Sequence, residues 1–197
     1  TAASLAAYGK MLGASSVISG VVPQISVIAG TCAGTAAMLA CSSDFVIMTK
    51  ESEFFMAPNS SSGSAEAAAK SGIASAVCDD DKAAIEKARD LVNILPVNNL
   101  APVPMFEFAE NSPVSGTDLK SIINSAADAD SEIEISAEFG NASYTGFVTI
   151  GGATAGIAAA GKEGSKLNSD DCAKLARFMR TCDAFSIPVV TFVNSEG

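Results

Sequence analysis

Apolar residues recur at helical spacing in some segments of the chain and form short continuous runs in others. In the first half, residues 3–19 indicate a helix, and residues 25–29, with the sequence ISVIA, form the β-branched run typical of a buried strand. A second such run, Phe45 to Met48, predicts another strand. Apolar residues at steps of three and four from Ile85 to Leu95 predict a helix, which Pro96 ends. Helix and strand therefore alternate along this half.

The second half repeats the alternation after a segment rich in proline. Four of the seven prolines lie between positions 96 and 117, which predicts an extended linker. Beyond it the pattern predicts a helix near 118–127, strands near 132–136, 144–150 and 154–160, a helix near 169–185 and a strand near 188–193. Gly151 and Gly152 predict a tight hairpin. The long helix is expected to begin with Ser169 as its N-cap, with an apolar stripe of Cys172, Leu175, Ala176, Met179 and Cys182.

Composition narrows the possible functions. The chain has 197 residues, 48% of them hydrophobic, with a net charge of −10 and no histidine. An acidic chain without a basic stripe does not favour nucleic-acid binding. Without an imidazole, hydrolysis by a Ser-His-Asp or Cys-His arrangement is excluded for this chain's own residues. These properties suit a closely packed α/β protein of buried strands.

The five cysteines do not predict a disulfide framework or a metal site. Their number is odd and none is paired at C-x-x-C spacing, so we expect free thiols and no metal. No signal-peptide pattern is seen and every apolar stretch is too short for a membrane span. We therefore expect a cytoplasmic protein. The cysteines are Cys32, Cys41, Cys78, Cys172 and Cys182.

The loop from Gly30 to Gly34 joins a predicted strand to a predicted helix from Thr35 to about Cys41. A sharp turn of this kind leaves backbone N–H groups pointing into one spot. They could hold a phosphate or the oxygen of an enolate. The spacing Gly-x-x-x-Gly by itself is equally compatible with plain helix–strand packing. Both interpretations stay open on the pattern alone.

Two longer segments resemble one family in its own order. The sequence VPQISVIAGTCAG at 22–34, followed by DFVIM at 44–48, resembles the N-terminal half-domain of biotin-dependent acyl-CoA carboxyltransferases. CAKLARFMRTCDAFSIPVVTFVNSEG at 172–197 resembles the start of that family's C-terminal half-domain. The resemblance implies an α/β fold of the crotonase (ClpP-like) ββα superhelix type, with parts of two tandem units.

The resemblance also implies a division of the chain. Residues 1–95 would be the back half of the N-terminal carboxyltransferase unit, and residues 118–197 the front half of the C-terminal unit. Residues 96–117 would be the linker between them. Half of a unit would contain only part of that unit's sheet, which leaves strand edges and apolar faces exposed. We therefore expect a homo-oligomer that covers them.

The activity that the resemblance implies is carboxyl transfer between an acyl-CoA of the malonyl- or methylmalonyl-CoA class and carboxybiotin. Biotin would be carried by a separate domain or subunit, a biotin carboxyl carrier protein, and no metal is implied. Backbone N–H groups would stabilise the enolate oxygen and the ureido oxygen. Carboxylase and decarboxylase directions both remain open, and so does the identity of the acyl-CoA.

Site residues follow from the family motif Gly-Pro-Cys-Ala-Gly-Gly-Ala, which corresponds here to residues 30–36. The resemblance implies catalytic N–H donors at Ala33 and Gly34, with Gly30 and Cys32 as cofactor-binding residues. The catalytic glycine on the biotin side would be Gly197. We expect residues 30–34 to form a strand-to-helix turn in which the N–H groups of Ala33 and Gly34 are not bonded within a sheet.

Several departures from the family pattern keep alternatives open. Thr35 replaces the second glycine of the motif, both upstream Gly-Gly-Ala loops are absent, and residues 56–63 replace a glycine-rich segment. One alternative is a non-catalytic assembly or binding fragment with the same fold, and another is a crotonase-type hydratase or isomerase. Basic residues of the segment 118–197 could meet CoA phosphates or form a solvated helix face: Lys162, Lys166, Lys174, Arg177 and Arg180.

Overall fold

The computed structural model describes residues 2–57, 63–111, 116 and 118–195, and it describes only the backbone at 162–164 and 195. The chain forms two compact units that divide between Asp90 and Leu91. Each unit has its own sheet and its own helices. The division into back and front halves of two tandem family units stays a prediction.

The first unit is built on a parallel three-stranded sheet in the order β1-β3-β5. Its strands are β1 (Ile25–Ile28), β3 (Phe45–Thr49) and β5 (Ala76–Cys78). All five residues of β3, the central strand, are buried, which is typical of a parallel strand covered on both faces. The strand predictions at both apolar runs are confirmed.

Four helices accompany these strands in sequence: one precedes β1, one lies between β1 and β3, one lies between β3 and β5, and one follows β5. The helices are α1 (Ala2–Ile18), α2 (Thr35–Cys41), α3 (Ala65–Lys70) and α4 (Asp81–Ile94). Small alanine side chains let α2 and α3 approach the sheet closely, and their buried alanines form a core with Val46 and Met48. In α4 the buried face contains Ala84, Leu91 and Ile94, whereas Ile85 and Val92 are exposed. The predicted stripe of α4 was therefore only partly right.

A separate two-stranded sheet pairs β2 (Thr31–Ala33) with β4 (Glu53–Phe55) in parallel. The register places Cys32 opposite Phe54. The loop that was expected between β1 and α2 therefore contains a short strand. The sequence could not predict this strand, because three residues are too few for a periodic pattern. The strand is defined by its pairing with β4, about 20 residues later in the chain.

The second unit has a four-stranded sheet in the order β6-β7-β8-β9. The strands β6 (Ile133–Glu134), β7 (Ser143–Ile150) and β8 (Ala153–Gly164) pair antiparallel, and β9 (Val189–Ser195) pairs parallel to β8. Gly151 and Gly152 make the predicted hairpin turn, with φ values of 60° and 81° that favour glycine. Helix α5 (Leu119–Ala126), capped by Asp118, packs its buried Leu119 and Ile123 beneath this sheet.

Helix α6 (Ser169–Ala184) connects β8 to β9, and it differs from its prediction in two respects. Its N-cap is Asn168, which forms a capping box with Asp171, and not Ser169. Its buried face consists of Asp171, Lys174, Phe178 and Cys182, while Cys172 and Met179 are exposed. Cys182 is the one member of the predicted stripe that is fully buried. The apolar periodicity missed Asp171 and Lys174 because they are charged.

Part of the predicted linker is bonded to the second unit. The carbonyl of Pro104 accepts a hydrogen bond from Thr154 N–H at 3.3 Å, and Phe106 N–H donates to the Gly152 carbonyl at 2.7 Å. Residues 104–106 thus run antiparallel beside the start of β8. Throughout the part of the chain that the structure describes, every helix is too short or too polar to cross a membrane.

Candidate functional site

The site begins where β2 meets α2, and one glycine makes the corner. Gly34 is the N-cap of α2, with φ of 59° and ψ of −124°. An L-residue with a Cβ is strained in this conformation, so glycine is required here. The first intrahelical bond runs from Met38 N–H to the Gly34 carbonyl at 3.1 Å. The N–H groups of residues 35–37 therefore have no acceptor within the helix.

The expectation that Gly34 N–H is free of sheet bonding is wrong. This N–H donates to the Phe55 carbonyl on β4 at 2.8 Å, which extends the β2–β4 ladder by one residue. A ligand could take this donor only by breaking that bond. The sequence pattern could not show this because the acceptor lies 21 residues away and is a backbone carbonyl.

The neighbouring Ala33 N–H points the other way. Successive N–H groups along a strand face opposite edges, so the bond from Gly34 to β4 directs the Ala33 N–H to the opposite edge of β2. In the described residues β4 is the sole strand beside β2, so no strand lies on that edge. Of the two predicted donors, Ala33 is the one that this geometry leaves directed away from the sheet.

An open cleft of about 330 Å³ lies beside this corner. Gly30 and Cys32, the two residues predicted to bind cofactor, both line it, together with Ser26, Val27, Ala36 and Leu39 among others. The Gly30 carbonyl accepts Glu53 N–H at 3.1 Å, so β4 also fixes this wall of the cleft. The lining is mostly apolar, with Ser26 Oγ and Ser43 Oγ hydrogen-bonded at 2.7 Å at one side.

Cys32 lies in an environment that lowers the reactivity of its thiol. Burial raises the pKa of the thiol, which favours the neutral form. The side chain also packs against the core formed by Val46, Met48 and Phe54. Cys32 thus contributes packing to the cleft wall, and its role in cofactor binding stays a prediction.

The remaining predicted residues belong to the C-terminal part of the chain. Gly197 lies outside the described residues. Lys174, one of the basic residues considered for CoA phosphates, is buried and donates to the Ser143 carbonyl at 3.0 Å and to the Gly140 carbonyl at 3.4 Å. It holds a loop of its own unit and presents no charge to a ligand.

A second, polar cleft of about 380 Å³ lies in the other unit, between α5 and the loop before β6. Its wall includes the buried carboxylate of Asp128, which accepts the N–H groups of Gly151 at 2.9 Å and Gly152 at 2.7 Å. Burial alone would raise the pKa of Asp128, but these bonds and one from Thr149 outweigh it, so the pKa is lowered. No group of three candidate ligand side chains for a metal occurs among the described residues.

The comparisons with known proteins agree with this arrangement. The carboxyl transferase domain model matches residues 1–197. The propionyl-CoA carboxylase beta chain of Roseobacter denitrificans is 32% identical over 98% of this chain and 44% of its own length. The methylmalonyl-CoA carboxyltransferase 12S subunit of Propionibacterium freudenreichii subsp. shermanii is 33% identical over 98% of this chain and 43% of its own.

Solved structures give the same result. A transcarboxylase 12S structure with methylmalonyl-coenzyme A and methylmalonic acid bound superposes with a TM-score of 0.88 at 31% identity. The match covers 98% of this chain and 44% of that one. A single-chain long-chain acyl-CoA carboxylase matches with a TM-score of 0.76 at 19% identity, over 93% of this chain and 21% of its own, which concerns the fold alone.

The chain has a crotonase-like carboxyltransferase fold, as the resemblance implied. The chain belongs to the carboxyl transferase domain family. It spans 42–44% of the length of the curated relatives that it matches.

Proposed function

We propose that this chain is part of a carboxyltransferase that moves a carboxyl group between an acyl-CoA and a biotin carrier. The membership of residues 1–197 in the carboxyl transferase family supports it, as do relatives that are named for propionyl-CoA and methylmalonyl-CoA. The substrate would belong to the malonyl- or methylmalonyl-CoA class, because the neighbouring solved structure holds methylmalonyl-CoA. Transfer in either direction is compatible with the site.

One observation carries the proposal: the Ala33 N–H is directed away from β4 at the end of β2. In the chain Ala33 stands between Cys32 and Ala36, which line the cleft, although Ala33 itself is not among the lining residues. Removing carbon dioxide from the α-carbon of a thioester leaves negative charge that rests largely on the thioester oxygen. A fixed N–H donor aimed at that oxygen stabilises it without any proton transfer by a side chain. A chain with no histidine can therefore still contribute to this reaction.

The partners follow from the same proposal. Biotin would arrive on a carrier domain or subunit, and Gly197 would donate its N–H on the biotin side. The chain would act as a homo-oligomer in the cytoplasm. Support for assembly comes from the transcarboxylase 12S neighbour, which assembles as a hexamer. Light scattering tests it, since a mass near 19.8 kDa at micromolar concentration would contradict an oligomer.

A second candidate function is a non-catalytic assembly or binding fragment. It is favoured by the bond from Gly34 N–H to Phe55, because this bond occupies the N–H group of one of the two residues predicted as donors. The third alternative, a hydratase or isomerase, gains no support from relatives whose names describe carboxylases, a carboxyltransferase and a decarboxylase.

The deciding experiment replaces the Ala33 amide by an ester, which removes only the N–H. We expect carboxyl transfer from methylmalonyl-CoA to biotin to slow by about 10²-fold or more. The affinity for methylmalonyl-CoA, measured by titration calorimetry, should change little, because the donor acts on charge that develops during reaction. Unchanged transfer would refute the role of Ala33, and absence of methylmalonyl-CoA binding to the unmodified chain would favour the assembly alternative.

A further inference from the structure

Strand β4 is held on both of its edges, and the two edges have different partners. On one edge Glu53 N–H donates to Gly30, and Phe55 accepts from Gly34. On the other edge Phe54 N–H donates to the Gly63 carbonyl at 2.6 Å, and Glu53 forms an antiparallel bridge with Ser64. Residues 63 and 64 therefore act as a third, short strand beside β4.

Gly63 is buried and lies directly against the Phe55 ring. A Cβ built on Gly63 would stand 2.2 Å from Phe55 Cε1 and 2.3 Å from Cζ. Carbon atoms pack at about 3.5–4.0 Å, so any side chain at this position would displace the ring by more than ~1 Å. Gly63 has no positive φ. Its need for glycine therefore comes from the close approach of the ring and not from backbone strain.

The contact reaches the proposed site through one residue. Phe55 carries both the ring that contacts Gly63 and the carbonyl that accepts Gly34 N–H. Any part of that displacement that reaches the Phe55 backbone would lengthen the bond to Gly34, the residue that directly follows Ala33. We propose that Gly63 is a positioning residue, which acts through Phe55 and Gly34 on the orientation of the Ala33 N–H.

This inference rests on the proposed function only for the role of Ala33, and its structural part is tested separately. The first variant is Gly63→Ala in the full chain. We expect the Gly34 amide to exchange its hydrogen at least ~10-fold faster by NMR, while the Ile47 amide in β3 changes less than ~3-fold. The rate of carboxyl transfer should fall in the same variant, while its affinity for methylmalonyl-CoA should change little.

The rescue variant is Gly63→Ala combined with Phe55→Leu, which removes the ring but keeps the carbonyl. It should restore slow exchange at Gly34 if the collision with the ring is the cause. The matched control is Gly9→Ala in α1, where an added Cβ meets no atom within 4 Å. This control should leave Gly34 exchange and carboxyl transfer unchanged.

Each outcome decides the inference. Unchanged Gly34 exchange in Gly63→Ala overturns it, whatever the chain's activity. If Gly63→Ala does not fold, recovery of both folding and Gly34 protection in the double variant supports the inference, and failure to recover overturns it. Absence of methylmalonyl-CoA binding to the unaltered chain would instead count against the proposed function and would leave the exchange result standing.

Discussion

The two units anchor their long helices in different ways. Helix α6 in the second unit has 16 residues, begins in a capping box and buries four side chains. Helix α1 in the first unit has 17 residues, and none of them is buried. Its apolar side chains Leu5, Met11 and Val17 are 69%, 51% and 78% exposed. Polar contacts of Ser15 with Gln24 hold its last turn.

The difference shows two sources of helix stability. Tertiary packing provides most of the stability of helices in folded proteins, and α6 has such packing. Helix α1 has no buried residue, and hydrogen bonds of Ser15 with Gln24 and Ser42 connect its last turn to the rest of the unit. The second unit also buries three charged groups, Asp128, Asp171 and Lys174, whereas the buried polar residues described in the first unit are the hydroxyl-bearing Thr49, Ser52 and Ser75. Four changes would break or sharpen this comparison.

The largest effect is expected from Asp171→Ala. The buried carboxylate accepts hydrogen bonds from Ala142 N–H, Ser143 Oγ–H and Asn168 N–H. The two N–H groups would lose this acceptor, whereas Ser143 Oγ–H also reaches the Gly140 carbonyl at 2.9 Å. We expect a loss of about 3 kcal/mol or more in the free energy of unfolding, measured with urea. The control Asp183→Asn, exposed on the same helix, should change it by less than ~0.5 kcal/mol. Equal effects of the two changes would refute the anchoring role of Asp171.

The next effect is expected from Gly156→Ala, which crowds the contact between β8 and α6. The added Cβ would lie 2.7 Å from Cys182 Sγ and 3.2 Å from Phe178 Cε1. We expect a loss of about 2 kcal/mol in the free energy of unfolding, because overpacking forces neighbours to move. Adding Cys182→Ala should recover part of it. A double variant that is as unstable as the sum of the two single variants would show that the two residues do not interact.

Residues 25–29 and the stretch before Pro96 show how much sequence patterns could predict. Local features mark these elements: β-branched runs for strands, steps of three and four for helices, and glycine pairs for the hairpin. The structure confirms the positions that these features predicted for β1, β3, α4, α6 and the turn at Gly151. The fold class followed from the resemblance and is confirmed.

The errors arose where a distant partner decides the outcome. Lys174 was grouped with basic residues that could face solvent or CoA. It is buried, and it donates hydrogen bonds to carbonyls that lie more than 30 residues earlier in the chain. Gly34 was expected to have a free N–H, but Phe55 accepts it. Neither partner leaves a trace in local sequence, because the acceptors are backbone carbonyls that every residue possesses.

The third change tests the other buried carboxylate of the second unit by pH. The pKa of Asp128 is lowered in the folded state, so its stabilisation is present above the ordinary value of about 3.9 and is lost as pH falls through the lower folded value. Asp128→Asn should cost about 1–2 kcal/mol at pH 7, as one of its N–H partners loses an acceptor. Urea midpoints should converge for variant and parent toward pH 3. A constant difference at every pH would contradict this linkage.

The smallest global effect is expected from Gln24→Ala, which removes the side-chain contacts with Ser15. The free energy of unfolding should fall by less than ~1 kcal/mol, because no residue of α1 is buried. Amides of the last turns of α1 should exchange several-fold faster, measured by hydrogen exchange with mass spectrometry. Unaltered exchange there would mean that α1 is held by contacts other than Gln24.

The hairpin at Gly151 and Gly152 also bears on the order in which the second unit folds. Strands β7 and β8 pair through a two-residue turn, so their contacts form between residues close in the chain. Strand β9 can join β8 only after α6 has crossed over. Loop closure makes such non-local pairing slower. We expect the hairpin to form within about 1–10 μs and the docking of β9 to limit the folding rate. Because the hairpin and the β8–β9 contacts would both be formed at this limiting step, destabilising substitutions in the turn or in β9 would slow folding.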